Sequence, residues 1–273
     1  MDQQLSLNGK VFTSWKYDEK TWFITASNGT LYLYLLEGDD YTLLIDTAYG
    51  FGNLREYVET LTDKPVLVAL THGHLDHSGG AAEWEKVYMH KNAPVDMPND
   101  GNQFNLPYPD YERVFVGEGD VIDLGGRRIE VIEITAHSNG SIALLDASHK
   151  LIFSGDELES MQVIMMNLDK DPDYDYEARI KAHRANMLKL KARLEEFDSI
   201  CPAHNGAPIA RSYIDDFIEL NDRILAGKAI VEDKLNHLFF DSSPMGEGLC
   251  RVRWNKASFF SARSDVEKFL KNQ

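Results

Sequence analysis

Runs of strand-like residues followed by helices, twice over, predict an α/β (α+β) fold of two sheets packed between helices. Three observations carry this. The first half holds Leu31–Leu36, Tyr41–Ile45 and Val66–Leu70, apolar runs short enough to be buried strands. The second half repeats the pattern with Asp120–Ile134, Ile142–Leu145 and Leu151–Phe153. A helical period then follows, with Met187, Leu190, Leu194 and Phe197 on one face of a helix expected over 174–197. The 273 residues and 43% hydrophobic content supply enough apolar surface for a sizeable core.

In order, Val11-Phe12 and Thr21–Ile24 flank the polar stretch Lys16–Lys20, which suggests a hairpin. Asn28-Gly29 is a turn signal, and Gly38-Asp39-Asp40 joins the next two strands. The second of these ends in Asp46, read as a structural residue near the site and not a ligand. Asn53-x-x-Glu56 resembles a capping box that opens a helix through about Leu61. Lys86–Met89 is a short strand, and 92–112, rich in Pro, Asn, Asp and Gly, reads as a long irregular loop. Gly125-Gly126 turns a hairpin within 120–134. A last helix, with Ser212 as N-cap, runs to Gly227; strand-like 249–254 and 258–261 and a short helix complete the chain.

The chemistry concentrates in Thr71-His72-Gly73-His74-Leu75-Asp76-His77-Ser78-Gly79-Gly80, placed after a buried strand and before the helix formers Ala81-Ala82-Glu83. Three imidazoles and a carboxylate within six residues are ligand-type groups for a metal ion. His72-x-His74-x-Asp76-His77 resembles the HxHxDH signature of the metallo-β-lactamase superfamily of metal-dependent hydrolases. The resemblance implies a four-layer αββα sandwich. It assigns residues 1–226 to the hydrolase domain and 227–273 to a C-terminal extension packed on it.

The resemblance also implies the later ligands: His137 before a turn, Asp156 after an apolar strand, and His204 in Pro-Ala-His-Asn-Gly. One ion would take His72, His74 and His137; the other would take Asp76, His77 and His204. Asp156 would bridge them, together with a hydroxide that acts as nucleophile. Asp76 is the expected catalytic residue, orienting the nucleophile or passing a proton to the leaving group. Thr135-Ala136-His137 is one residue shorter than the Thr-Pro-Gly-His common in the family, which leaves the shape of this loop to be found. The cofactors expected are two divalent metal ions, zinc first, with iron and manganese also suited to imidazole and carboxylate.

The function expected is hydrolysis of a small organic substrate with an ester, lactone, thioester or amide bond. Glyoxalase II-type thioesterases and quorum-signal lactonases share all seven ligands, whereas true β-lactamases usually lack the bridging Asp. The alternatives are a nuclease or phosphodiesterase of the same fold, a non-catalytic metal-binding protein, or a di-iron redox protein. A net charge of −16 repels phosphate backbones and speaks against nucleic-acid partners. The partners expected are a small-molecule substrate and, as an option, a second copy of the chain. No run of eighteen apolar residues predicts a membrane span. Met1–Gln4 lacks the start of a secretory signal, and Cys201 and Cys250 read as free thiols, so a cytoplasmic location is expected.

For the substrate pocket, Met161 and Met165 in the methionine-rich run after Asp156 are expected wall residues, since methionine adapts to irregular ligands. Trp15 and Trp22 beside the first hairpin are the expected aromatic lid. His90, His149, His183 and His237 read as surface or partly buried histidines without a role in the site.

Overall fold

The computed structural model describes residues 11–26, 29–97, 110–168, 171–235, 241 and 246–272. The Asn28 half of the first turn signal, most of the irregular loop at 98–109, and His237 lie outside them.

The first sheet runs in sequence order: β1 (Thr13–Asp18), β2 (Thr21–Ala26), β3 (Leu31–Glu37), β4 (Thr42–Ile45), β5 (Val66–Ala69), β6 (Lys86–His90) and β7 (Glu112–Val116). Its first four strands are antiparallel and its last four parallel. The opening hairpin turns at Glu19-Lys20, so Lys16 to Asp18 belong to the strand. They are polar because β1 is an edge strand with one wet side. Both faces of β3 are covered: Leu31, Leu33 and Leu35 point outward toward α1 (Leu54–Glu59), while Tyr34 and Leu36 point toward the second sheet. Double burial explains why this strand reads as an unbroken apolar run. Asn53 caps α1, accepting the Glu56 N–H at 3.2 Å while its amide donates back to the Glu56 carboxylate at 2.8 Å.

Within the His-rich motif, helix α2 (Leu75–Ser78) forms inside the segment, not after it. His74 stands at its N-cap in an extended conformation, and Ala81–Glu83 makes a separate 3-10 turn. Asp76 and His77 are therefore carried on a helical turn. Helix α3 (Ala93–Asp96) closes over the motif, and its approach is tight: a Cβ on Gly73 would fall 1.9 Å from the Ala93 carbonyl oxygen.

The second sheet begins with β8 (Val121–Asp123), β9 (Arg128–Glu133), β10 (Ile142–Asp146) and β11 (Leu151–Gly155). After β11 come the two-residue β12 (Val163–Ile164) and helix α4 (Tyr176–Lys191). The chain returns as β13 (Ser199–Pro202), parallel to β11, and β14 (Ile209–Ala210). Gly125 and Gly126 turn the β8–β9 hairpin with φ of +79° and +75°, where side-chain-bearing residues are strained. The two sheets meet over Phe23, Tyr34, Leu43 and Ile45 on one side and Ile129, Val131, Leu144 and Phe153 on the other. Helix α5 (Tyr213–Leu225) packs beside α4 on the outer face of the second sheet. This is the expected αββα order.

The strand-like tail forms a third sheet that the sequence reading does not contain. β15 (Ile230–Glu232), β16 (Leu249–Trp254) and β17 (Ala257–Ala262) pair in order, and β12 adds to β17 in parallel. Helix α6 (Arg263–Lys271) follows. Cys250, Val252, Phe259 and Phe269 share one core with Met187, Leu190 and Phe217 of α4 and α5. Both cysteines are buried and unpaired with each other, as expected. No described helix is long and apolar enough to cross a membrane.

The two large sheets are tied at one end by Arg127. Its guanidinium donates to Asp146 at 2.7 and 2.6 Å, to the carbonyls of Lys20 and Glu37, and to Thr21. Both Arg127 and Asp146 are buried. Burial works against ionising Asp146, but the guanidinium outweighs it and holds the carboxyl below its ordinary range.

Candidate metal centre

His72 and His74 sit past the carboxyl end of β5, His137 past β9, Asp156 past β11 and His204 past β13, while Asp76 and His77 ride on α2. β9, β11 and β13 run the same way, since β9 and β11 are both antiparallel to β10 and β13 is parallel to β11. The Ile142 N–H at the start of β10 donates to the Thr71 carbonyl after β5 at 2.8 Å, joining the two sheets at this edge. The second sheet reaches the first closely there. A Cβ on Gly155 would lie 2.6 Å from the Thr71 hydroxyl, and Gly155 has φ +53°, so two constraints demand glycine.

The seven residues converge. His72 Nε2 and His137 Nε2 lie 2.9 and 3.0 Å from His74 Nδ1. On the other side, His204 Nε2 is 3.2 Å from Asp76 Oδ2, and His77 Nε2 is 3.7 Å from Asp76 Oδ1. Asp156 lies between: Oδ1 is 3.3 Å from His77 Nε2 and 3.6 Å from His204 Nε2, while Oδ2 is 3.8 Å from His137 Nε2. The donor atoms of His72, His74 and His137 form one compact group, and those of Asp76, His77 and His204 another.

The imidazoles are held with their bare nitrogens inward. His137 Nδ1 donates to the Ile164 carbonyl at 2.8 Å, and His204 Nδ1 to the Thr30 carbonyl at 2.9 Å. His77 Nδ1 donates to Asp46 at 2.9 Å. Thr71 gives its hydroxyl hydrogen to Asp46 at 2.8 Å, so it accepts from His72 Nδ1 at 3.1 Å. Each contact fixes a tautomer and leaves the Nε2 lone pair for the centre. Asp46 also accepts the Thr71 N–H at 2.7 Å, and it does so from a left-handed backbone, φ +63°. The sequence reading of Asp46 as a structural residue beside the site agrees with this.

The donor set fits a cation. His77 Nε2 and Asp156 Oδ1 are buried without a hydrogen-bond partner, a costly state for two polar atoms 3.3 Å apart unless an ion serves both. Zinc–nitrogen bonds of about 2.0–2.1 Å at tetrahedral angles separate ligand nitrogens by roughly 3.3 Å, close to the spacing of the histidine trio. Burial, then the neighbouring imidazoles, hold His72 well below its ordinary pKa and bring His137 down to about 4, so both are neutral ligands near pH 7. Burial opposes charge on His77 and His204 as well. There the carboxylates win, raising His77 and bringing His204 to about 10. Without an ion those two imidazoles carry protons that balance the carboxylates, and a cation bound there would displace them.

Access is one-sided. The side chains of Asp76 and His204 are each 22% exposed, whereas His77 is closed off. Asp76 and His204 thus form the open side of this group.

The proposed pocket residues are scattered. Trp15 pairs opposite Phe23 and Trp22 opposite Lys16, so the two rings project from opposite faces of the hairpin. Trp15 contacts Phe23 and Tyr32, and Trp22 packs on the outer core with Lys16 over its ring. Met161 is exposed; Met165 is 1% exposed, inside the core with Val163 and Phe259. Two residues beside the centre were not singled out from the sequence. Glu157 accepts the His137 N–H at 2.8 Å, and burial pushes its carboxyl up to about 8. Glu159 accepts from Asn205, next to His204, at 2.5 Å. The signal was present as Asp156-Glu157-Leu158-Glu159 directly after an apolar strand, where acidic residues do not face water freely. His183 is fully buried, not a surface histidine, because it joins the same polar network. His90 is also buried, facing Glu133.

A two-sheet sandwich that gathers imidazoles and carboxylates at one edge defines a metal-binding class of α/β protein. The chain belongs to the metallo-beta-lactamase superfamily, whose model matches residues 31–226. It is similar to acyl-coenzyme A thioesterase MBLAC2 of Homo sapiens, 30% identical over 159 residues, or 45% of this chain and 57% of that protein. It is similar also to hydroxyacylglutathione hydrolase GloC of Haemophilus influenzae, 28% identical over 159 residues, or 54% of this chain and 74% of the relative. The match thus spans little more than half of the human thioesterase. A metallo-beta-lactamase family protein of Thermus thermophilus shares the fold, with TM-score 0.61 and 20% identity over 78% of this chain and 82% of that one.

Proposed function

We propose that the protein is a dinuclear metal-dependent hydrolase of small thioesters. The observation that carries the dinuclear reading is the placement of Asp156, with one oxygen toward His77 and His204 and the other toward His137. The thioester reading draws on the acyl-coenzyme A thioesterase and hydroxyacylglutathione hydrolase relatives.

His72, His74 and His137 would hold one ion, Asp76, His77 and His204 the other, and Asp156 both. Bound divalent ions supply Lewis acidity, polarising the acyl carbonyl and lowering the pKa of water. The chain's own residues do the rest. Asp46, Thr71, Thr30 and Ile164 hold the tautomers of His72, His77, His137 and His204. Asp76, at the open side, is placed to accept a proton from the attacking water. Water oxygen adds to the acyl carbon, the C–S bond breaks, and the products are a carboxylate and a thiol. A thiol has a pKa of about 8.5, so it departs as thiolate with little help from an acid. An amine needs a proton before it leaves, a demand that a thioester does not make. Zinc is the first choice of metal, with iron and manganese open to the same donors. The net charge of −16 favours a small-molecule substrate over nucleic acid.

The test is a substrate panel with metal-loaded protein: an acyl-coenzyme A, a hydroxyacylglutathione, a lactone, an aryl ester and an anilide, with released thiol read colorimetrically. The best thioester is expected to exceed the best oxygen ester or amide in kcat/KM by about tenfold or more, or about 1.4 kcal/mol of transition-state binding. A lactone or amide in first place, or no thiol release, would contradict it.

A further inference from the structure

We infer that Glu157 is a positioning residue for His137, acting through the backbone that carries this ligand. The inference rests on the metal-centre reading above. Glu157 is fully buried. One carboxylate oxygen accepts the N–H of Ala136 at 3.3 Å and of His137 at 2.8 Å. The other accepts the Asn186 amide at 2.9 Å. Arg179 donates to the Ala136 carbonyl at 3.0 Å, so the peptide groups on both sides of residue 136 are gripped. The imidazole itself is turned by the Ile164 carbonyl. Backbone and ring are therefore fixed from separate elements, and His137 has no freedom left to swing away from His72 and His74.

Glu157 is in turn anchored to both outer helices. Its carbonyl accepts from His183 Nε2 at 2.9 Å, His183 Nδ1 accepts from Asn221 at 2.9 Å, and Asn221 donates also to the Phe217 carbonyl of its own helix. The line runs from α5 through α4 to the ligand loop. A buried carboxyl group is costly where an apolar side chain would pack as well. What its oxygen does that Leu or Met could not is accept two consecutive backbone N–H groups on the arm of a ligand. Such outer contacts tune metal affinity.

The experiment compares wild type, Glu157→Ala, Glu157→Gln and Asn186→Ala. Metal affinity is measured by competition with a chromophoric chelator, and the cobalt(II)-loaded proteins are compared by visible absorption. Glu157→Ala is expected to weaken the affected ion about 10–100-fold and to alter the cobalt bands. Glu157→Gln keeps an oxygen for both N–H groups once Asn186 turns its own oxygen inward, so affinity returns to within about threefold of wild type. Asn186→Ala leaves Glu157 present but unheld and is expected to cost about three- to tenfold, which keeps the test decisive where Glu157→Ala does not fold. Unchanged affinity and cobalt spectrum in Glu157→Ala, with only a lower melting temperature, would overturn the inference, as would an unchanged Asn186→Ala where Glu157→Ala does not fold. Wild type that binds no cobalt at all would instead refute the metal-centre reading.

Discussion

Asp156→Ala is expected to lower kcat on the best substrate by on the order of a thousandfold and to leave the fold intact. The side chain lies between the two ligand groups, and each of its oxygens faces one of them. Without it two dications would confront each other with one anion fewer, so the variant should keep one ion or none. In the metal-free protein the loss is confined to the pairing of Asp156 with His77 and His204, whose imidazoles can shed their protons once the carboxylate is gone, so the fold should survive. Turnover, metal content and thermal melting on one preparation check this. Near-native turnover with two ions retained would show that Asp156 does not link the groups.

Arg127→Ala is expected to have the opposite signature: about 3–5 kcal/mol of stability lost and little change in activity per folded molecule. The variant strands the Asp146 carboxylate in the core with only Ser148, the His149 backbone and the His149 ring to meet it. It also releases the carbonyls of Lys20 and Glu37 on the other sheet. Arg127 precedes β9, whereas His137 follows it, so the staple sits at the end of the sandwich away from the ligands. Urea unfolding monitored by tryptophan fluorescence gives the stability, and assays at low denaturant give the activity. A midpoint unchanged from wild type would mean that the sheets are held together without this pair.

The parts of the molecule that were legible in the sequence are those where local pattern and tertiary role coincide. β3, β10 and β11 are buried on both faces and read as apolar runs. Asn53 caps its helix with a local hydrogen bond, whereas Ser212, the other expected cap, stands at the N-cap of α5 without a side-chain bond. The first ligands are clustered within six residues, so their chemistry is visible without a fold. His137, Asp156 and His204 are scattered over the second half of the chain, and only the likeness to a family picked them out. Legibility fails where partners are distant in sequence. β12 is two residues long and exists because β17, almost a hundred residues later, offers it a partner. Met165 follows β12 into the core by donating its N–H to Phe260, which no local signal announces. Glu157 and His183 resemble surface residues until the loop of His137 and the two outer helices close around them. Trp15 and Trp22 look like neighbours on a turn, but the pairing register sends them to opposite faces.

The claim at the centre of this account is that two groups of side chains, linked by Asp156, hold two metal ions. Metal-stripped protein should be titrated with zinc(II), passed through a desalting column and analysed for zinc per chain by inductively coupled plasma mass spectrometry, with thioesterase activity measured on the same fractions. The account predicts two bound zinc ions per chain, with activity rising as they load. No retained zinc, or full activity in the stripped protein, would contradict it.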